Sequence, residues 1–430
     1  MYTIPYGRGT IEFELPADMV GVVLHSSDRP PLADPVQAIA EALAHPVNSP
    51  RLQEMARPGD RVCIVFTDAT RASPDNLLVP PLLSALAEAG VNDDAITLLC
   101  GVGMHRPSTL EEKVAKLGRD VVARYRVIDS RPRDAEALVH LGTASTGAPV
   151  VVNRTACEAD LLIATGIVEP HQYAGFSGGR KTVAIGAGGE ELIAYTHSAR
   201  MLDHPATRLG RIAGNPFHQT ITEVARAAGL RFILNVVAND DGQIVAVRAG
   251  EPEAAFGALV AEARQLFVQP ITQQYDIAIA GVGHPKDANL YQASRAATYL
   301  QFAPVPVVRP GGVIIIPARC QEGAGEGVGE QRCHDALCQA ESLRALLDEM
   351  RGRPFLAGEQ RAYMIAQVLS MCEVIIVGAE CPDVVREMRM IPAASMAEAL
   401  ARAMERVGTG AKALIVPHAL LTLPVLSEDL

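Results

Sequence analysis

Apolar and polar positions alternate in blocks along the chain, and the blocks predict the elements. The runs at 61–67 (RVCIVFT), 95–100 (AITLLC) and 160–165 (DLLIAT) read as buried strands, because they are short, aliphatic and followed by turn residues. Between the first two, a helical pattern from about Pro80 to Ala89 stops at Gly90, which makes a strand–helix–strand unit. Ser108 and Glu111 have the spacing of a capping box, so a helix should begin just past His105 and end near Gly118. Residues 121–152, including VVARYRVIDS and APVVV, read as short strands and turns. Asn215 and Pro216 open a helix to about Ala228, RFILNVVAN and QIVAVRAG form a hairpin, and a helix follows from Pro252 to Leu266.

Near residues 268–275 the pattern resets. Strands at Asp276 to Ala280, Gly312 to Pro317, Glu373 to Gly378 and Ala413 to Pro417 alternate with helical stretches such as SMAEALARAMERVG. The N-terminal MYTIPYGRGTIEFELP alternates like a hairpin. The expected fold class is α/β. Two α/β domains, residues 1–270 and a smaller 271–430, should enclose an interdomain active-site cleft, with the last dozen residues packing on either domain.

Composition narrows the function classes. With 49% hydrophobic but only 4% aromatic residues and no Trp, the core must be aliphatic, and 430 residues suit two domains. A net charge of −11 argues against nucleic acid or an anionic membrane as partner. No long apolar run or signal-like block is seen, so a cytoplasmic protein is expected. The eight cysteines contain no CxxC pair. Cys63, Cys100 and Cys372 read as small buried hydrophobes, and Cys333, His334 and Cys338 make a weak zinc pattern. The run EGAGEGVGE at 322–330 reads as a solvated loop, and His140, His204 and His218 as structural or exposed.

Candidate chemistry concentrates between Asp160 and His197, where His171, Lys181 and His197 lie among glycines that let backbone approach a ligand closely. GFSGGRKT, Gly175 to Thr182, nearly matches a phosphate-binding loop, but Arg180 stands where the second required glycine belongs. A dinucleotide-binding dehydrogenase is disfavoured, since no GxGxxG follows a strand with an acid at the proper distance. Ligands of such sheets gather at the carboxyl ends of the strands, and there the chain puts Arg71, His105 and the His171 loop.

Four separated stretches carry a resemblance. HQYAGFSGGRK with His197 sixteen residues beyond its lysine, TDATRASP, GVGMHRPST and LYQASR, in the family's order along the chain, resemble the motifs of the lactate racemase family, the nickel-pincer nucleotide enzymes that interconvert 2-hydroxy acids. The resemblance implies that Lys181 tethers the cofactor and His197 binds its nickel. It implies cofactor contacts from Asp68, Thr70, Ser177 and Gly178, paired bases at His105 and His171, and substrate contacts from Arg71, Tyr291, Gln292 and Arg295. Proteins that build the cofactor are the implied partners, beside a small 2-hydroxy acid. Two positions depart from the family pattern: Arg295 stands where a lysine is usual, and Ile185 where a proline is usual. The alternative is a nucleotide-binding protein of the same fold without the nickel cofactor.

The chemistry accounts for these residue types. The hydrogen on the carbinol carbon is only weakly acidic beside a carboxylate, so its removal as a proton is hard. If it leaves as hydride while an imidazole takes the hydroxyl proton, a flat 2-keto acid results, and reversal from the opposite face inverts the centre. Two bases are then needed, one for each hand. Arginine suits the carboxylate, since its planar fork matches two oxygens.

Overall fold

The computed structural model describes residues 1–429, and the chain divides into two compact units. The first comprises Asp28–Thr196 and Arg211–Leu266; the second comprises Met1–Ser27, His197–Gly210 and the chain from Phe267 onward. Each unit is assembled from separate stretches of the chain. Val20–Val23 pairs in parallel with Lys412–Val416, and the hairpin of Tyr2–Tyr6 with Gly9–Phe13 buries Ile4 and Phe13 in the second unit's core. Residues 197–210 join the same unit through Asp203, which accepts from the Tyr363 hydroxyl (2.7 Å) and pairs with Arg351 (3.2 Å).

In the first unit, the earliest strand of the sheet, Val62–Thr67, lies in the middle. Ile96–Gly101 and Arg126–Asp129 extend the sheet to one edge; Leu161–Ile167, Leu230–Ala238 and Ile244–Gly250 extend it to the other. All neighbours are parallel except the last pair, which is the predicted hairpin. Val62–Thr67 and Leu161–Ile167 are buried along their whole length, as parallel strands covered on both faces must be. The direction of sheet growth reverses between these two strands, and their carboxyl ends flank the crevice where such sheets bind ligands.

The second unit repeats the plan with Tyr275–Ala280 inside its sheet. Val308–Pro317, Glu373–Val377 and Ile391–Ala393 lie on one side, and Lys412–Val416 and Val20–Val23 on the other, all parallel. The C-terminal strand Leu423–Leu426 pairs with Val268–Ile271 of this unit.

Several local expectations shift. The helix expected from Pro80 spans Asp75–Glu88 and contains Pro80 and Pro81, because buried Asp75 anchors its start. The capping box is Thr109 with Glu112, one residue later than expected: Thr109 Oγ1 accepts from Glu112 N, and the Glu112 carboxylate accepts from Thr109 N. Residues 121–124 of the expected short strands fall instead in a helix, Arg119–Arg124, whose Val121 and Val122 pack on the core. Among the described residues no helix is long and apolar enough to cross a membrane, and no group of three His, Cys, Asp or Glu could hold a metal. Cys333 is buried while Cys338 is exposed, so the weak zinc pattern does not converge.

Candidate active site

Three strand ends of the first unit present the candidate residues side by side. Val62–Thr67 leads to Asp68, Thr70 and Arg71; its neighbour on one side, Ile96–Gly101, leads to His105; its neighbour on the other, Leu161–Ile167, leads to His171 and Lys181. Glycines permit close approach here. A Cβ on Gly186 would lie 2.9 Å from the Gly101 carbonyl oxygen, and Gly103 N donates to Gly186 O at 2.8 Å, so the Lys181 segment is seated against the end of the His105 strand.

A buried carboxylate fixes the Arg71 loop. Asp75 is fully buried and accepts from the Thr67 and Thr165 hydroxyls, both at 2.6 Å, and thereby ties together the two strands at the reversal point. Lys116 pairs with it at 2.9 Å and also donates to the carbonyls of Arg71 and Ser73. Nothing in the sequence spacing singled out Asp75 or Lys116. A buried lysine–aspartate pair joins segments distant in the chain, and only the residue type hinted at it.

Asp68 bonds to His105: its Oδ2 lies 2.6 Å from His105 Nδ1, and Thr70 Oγ1 donates to its Oδ1 at 2.8 Å. Burial pushes the Asp68 carboxyl upward, but the bonds from His105 and Thr70 and the charges of His105 and Arg71 outweigh it and hold the group below the usual carboxylate range. Asp68 is 5% exposed and the His105 side chain half exposed, so a fixed carboxylate orients an accessible imidazole.

His171 stands at the base of a small hairpin in which Pro170 and His171 pair with Phe176 and Gly175. The turn folds back on its own histidine: Tyr173 N and Ala174 N both donate to His171 Nδ1, at 3.3 and 3.2 Å. Asn215, the N-cap of the helix Pro216–Ala227, braces the turn by donating to Tyr173 O at 2.8 Å. His218 on that helix bonds to the Ala174 backbone, and burial together with nearby Arg180 pushes its imidazole down to about 4.

Ser177 closes the loop, its hydroxyl donating to Ile167 O (2.5 Å) and accepting from Glu169 N (3.1 Å). Gly178 is buried, and a Cβ there would meet the Phe256 ring and the Asn235 amide. Arg180 also turns inward, lying over the Phe256 ring at 3.6 Å and donating to Thr222 Oγ1 at 2.8 Å. Burial pushes its guanidinium down to about 10. Arg180 thus cannot serve as a phosphate-loop residue, while Lys181 beside it keeps partial exposure. Lys181 begins a turn of π-helix over Thr182–Gly186, in place of the long helix that follows a phosphate-binding loop.

The second unit contains the remaining candidates. Tyr291, Gln292 and Arg295 follow Tyr275–Ala280 on two short helices, the first capped by Asn289, whose Oδ1 accepts from Gln292 N. Arg295 donates to Tyr299 Oη (2.9 Å) and Gln292 Oε1 (3.3 Å). Arg361, absent from the expected set, lies over the Tyr291 ring at 5.3 Å and is 7% exposed. Burial raises the Tyr291 phenol against the opposing pull of Arg361. His197 belongs to this unit, between the helices Glu190–Thr196 and Ala199–Leu202.

Comparison with known proteins agrees over nearly the whole chain. Residues 6–210 match the family model of the lactate racemase N-terminal domain, and residues 271–423 that of the lactate racemase C-terminal domain. The chain is similar to a lactate racemase of Lactiplantibacillus plantarum, 33% identical over 389 residues and 89% of each chain. It is likewise similar to a lactate racemase of Thermoanaerobacterium thermosaccharolyticum, 32% identical over 424 residues and 96% of each chain. The solved lactate racemase apoprotein from T. thermosaccharolyticum superposes with a TM-score of 0.90 at 30% identity, covering 98% of this chain and 99% of that one. A Thermotoga maritima protein, at a TM-score of 0.69 and 20% identity over 91% of this chain and 98% of its own, shares the fold.

Proposed function

The chain belongs to the lactate racemase family, and from that premise we propose that it racemises or epimerises a 2-hydroxy acid with a nickel-pincer nucleotide as its cofactor. The observation that carries the reading is the strand order. Arg71 follows the strand that stands between the strands leading to His105 and His171. A carboxylate gripped by the central guanidinium leaves the hydroxyl to meet an imidazole from one side or the other.

The donor set fits the cofactor. Of two adjacent cations, Arg180 turns inward over the Phe256 ring while Lys181 is partly exposed, and a primary amine is what a covalent tether requires. His197 offers an imidazole, a ligand suited to nickel. When bound, the group supplies an acceptor for the hydrogen of the carbinol carbon. The chain's own residues do the rest. Arg71 orients the carboxylate, and His105 takes the hydroxyl proton and becomes an imidazolium beside the Asp68 carboxylate. His171 serves the opposite hand.

Arg295 supports a substrate larger than lactate. A second guanidinium is superfluous to one small carboxylate already held by Arg71, but matches an additional carboxylate or hydroxyl. The test is protein produced together with the cofactor's biosynthetic enzymes. Intact mass should show an adduct that maps to Lys181, metal analysis about one nickel per chain, and single enantiomers should become mixtures. An unmodified Lys181 without nickel in that sample overturns the cofactor, and loaded protein that inverts no 2-hydroxy acid overturns the reaction.

A further inference from the structure

The two histidines differ in which ring nitrogen is engaged and in what engages it. His105 offers Nδ1 to a carboxylate, Asp68 Oδ2 at 2.6 Å. A carboxylate that its surroundings hold ionised only accepts, so Nδ1 of His105 carries the proton and Nε2 carries a lone pair. His171 offers the same Nδ1 to two donors, the backbone N–H groups of Tyr173 and Ala174 at 3.3 and 3.2 Å. Backbone hydrogens cannot rotate away, so this nitrogen must accept, and the proton of the neutral ring is on Nε2.

We propose that Asp68 and the backbone amides of residues 173 and 174 set the two histidines in opposite tautomers, so that the resting protein presents one base, His105, and one hydrogen-bond donor, His171. This deepens the racemase reading and rests on it for its consequence. A hydroxyl that faces His105 finds a lone pair: its O–H bond breaks, an Nε2–H bond forms, and the charge is received beside Asp68. A hydroxyl that faces His171 finds an N–H bond.

For His171 to give a proton from Nε2 it must first take one from solvent water or hydronium on Nδ1 and become the doubly protonated imidazolium. Its second proton, on Nδ1, points at the two N–H donors and must displace them. The 171–174 turn therefore opens each time His171 enters the proton cycle, against the bracing of Asn215 and His218. Asp68, Asn215 and His218 act here as positioning residues. For a substrate whose two forms are mirror images the hands are equally stable, so kcat/KM must be equal for them, and the asymmetry appears as kcat and KM differing by a common factor.

The test needs no cofactor and no turnover. Nitrogen NMR of apoprotein with labelled histidine, near neutral to mildly basic pH, distinguishes the two tautomers directly, and the H105Q and H171Q variants assign the signals. The expected result is an Nδ1–H ring at 105 and an Nε2–H ring at 171, with Asp68→Ala moving only the former toward Nε2–H. Neutron diffraction of the unsubstituted apoprotein reads the same two protons if a variant fails to fold. A proton on Nδ1 of His171, or the same tautomer at both rings, overturns the proposal. Loss of the racemase reading would leave these spectra unchanged, so the two failures are distinguishable.

Discussion

In the unit built on Val62–Thr67, the strand ends at the reversal of the sheet carry nitrogens that can gain or lose a proton, at His105, His171 and Lys181. In the unit built on Tyr275–Ala280, guanidinium groups are laid on tyrosine rings: Arg295, which follows that strand, at Tyr299, and Arg361, on the helix Glu359–Met371, at Tyr291. Guanidinium stays charged throughout the working range, whereas imidazole changes charge within it. On the proposed function, one sheet plan would support reactivity in the first unit and fixed recognition in the second. Changes in the first unit should abolish turnover or stability; changes at Arg295 should alter preference among substrates.

The largest effect is expected at Lys181. Lys181→Arg keeps the charge but removes the primary amine, so mass spectrometry of protein made with the cofactor pathway should show no adduct and activity should be lost entirely. Next come the imidazoles. His105→Ala and His171→Ala should each lower racemisation about a hundredfold to ten-thousandfold, the usual worth of a general acid or base, and in both directions. Near-normal inversion by either variant would sink the pairing.

Much of this division was legible in the chain. The aliphatic runs at 61–67 and 160–165 announced the two central strands, and the hairpin at 230–250 and the Asn215 cap formed as read. What was not legible depends on partners far along the chain. Val20–Val23 carries no strand signal of its own, and its partner, Lys412–Val416, lies at the far end of the chain. Asp68 reads as a ligand contact until the fold brings His105 to it across 37 positions. Arg180 reads as a loop cation until Phe256 appears beneath it. Local pattern specifies an element; which polar group faces which is decided by the packing of several elements.

Asp75 tests whether the reactive loops depend on one buried carboxylate. It is 0% exposed and bonded to Thr67, Thr165, Ser73 and Lys116. Asp75→Ala leaves a buried ammonium uncompensated, so denaturant unfolding should show a loss of about 3–5 kcal/mol. A loss below about 1 kcal/mol would mean that solvent replaces the pair. His218 gives a pH signature in the same unit. Its folded value, about 4, lies below the ordinary 6.5. Above that ordinary value the ring is neutral in both states; as pH falls through the interval, only the unfolded chain takes the proton. Stability should therefore decline with acid, by about 3 kcal/mol in full. His218→Gln should remove that part of the decline, as read from unfolding of both proteins at neutral and acid pH.

The smallest expected effect tests the second unit. Arg295 is anchored by Tyr299 and Gln292, so its guanidinium is held in place before any substrate arrives. Against a panel of lactate, malate, 2-hydroxyglutarate and sugar acids, loaded enzyme should favour a substrate with a further carboxylate or hydroxyl. Arg295→Lys retains the charge but replaces a planar fork by a point donor, and should reduce that preference about tenfold, which corresponds to about 1.4 kcal/mol. The rate with lactate should change little, since Arg71 and the two histidines are untouched. If lactate is the best substrate and the ranking survives Arg295→Lys, the arginine merely replaces the usual lysine. A loss of rate that is uniform across the panel would instead give Arg295 a part in the reaction itself, and the separation of reactivity from recognition between the two units would fail.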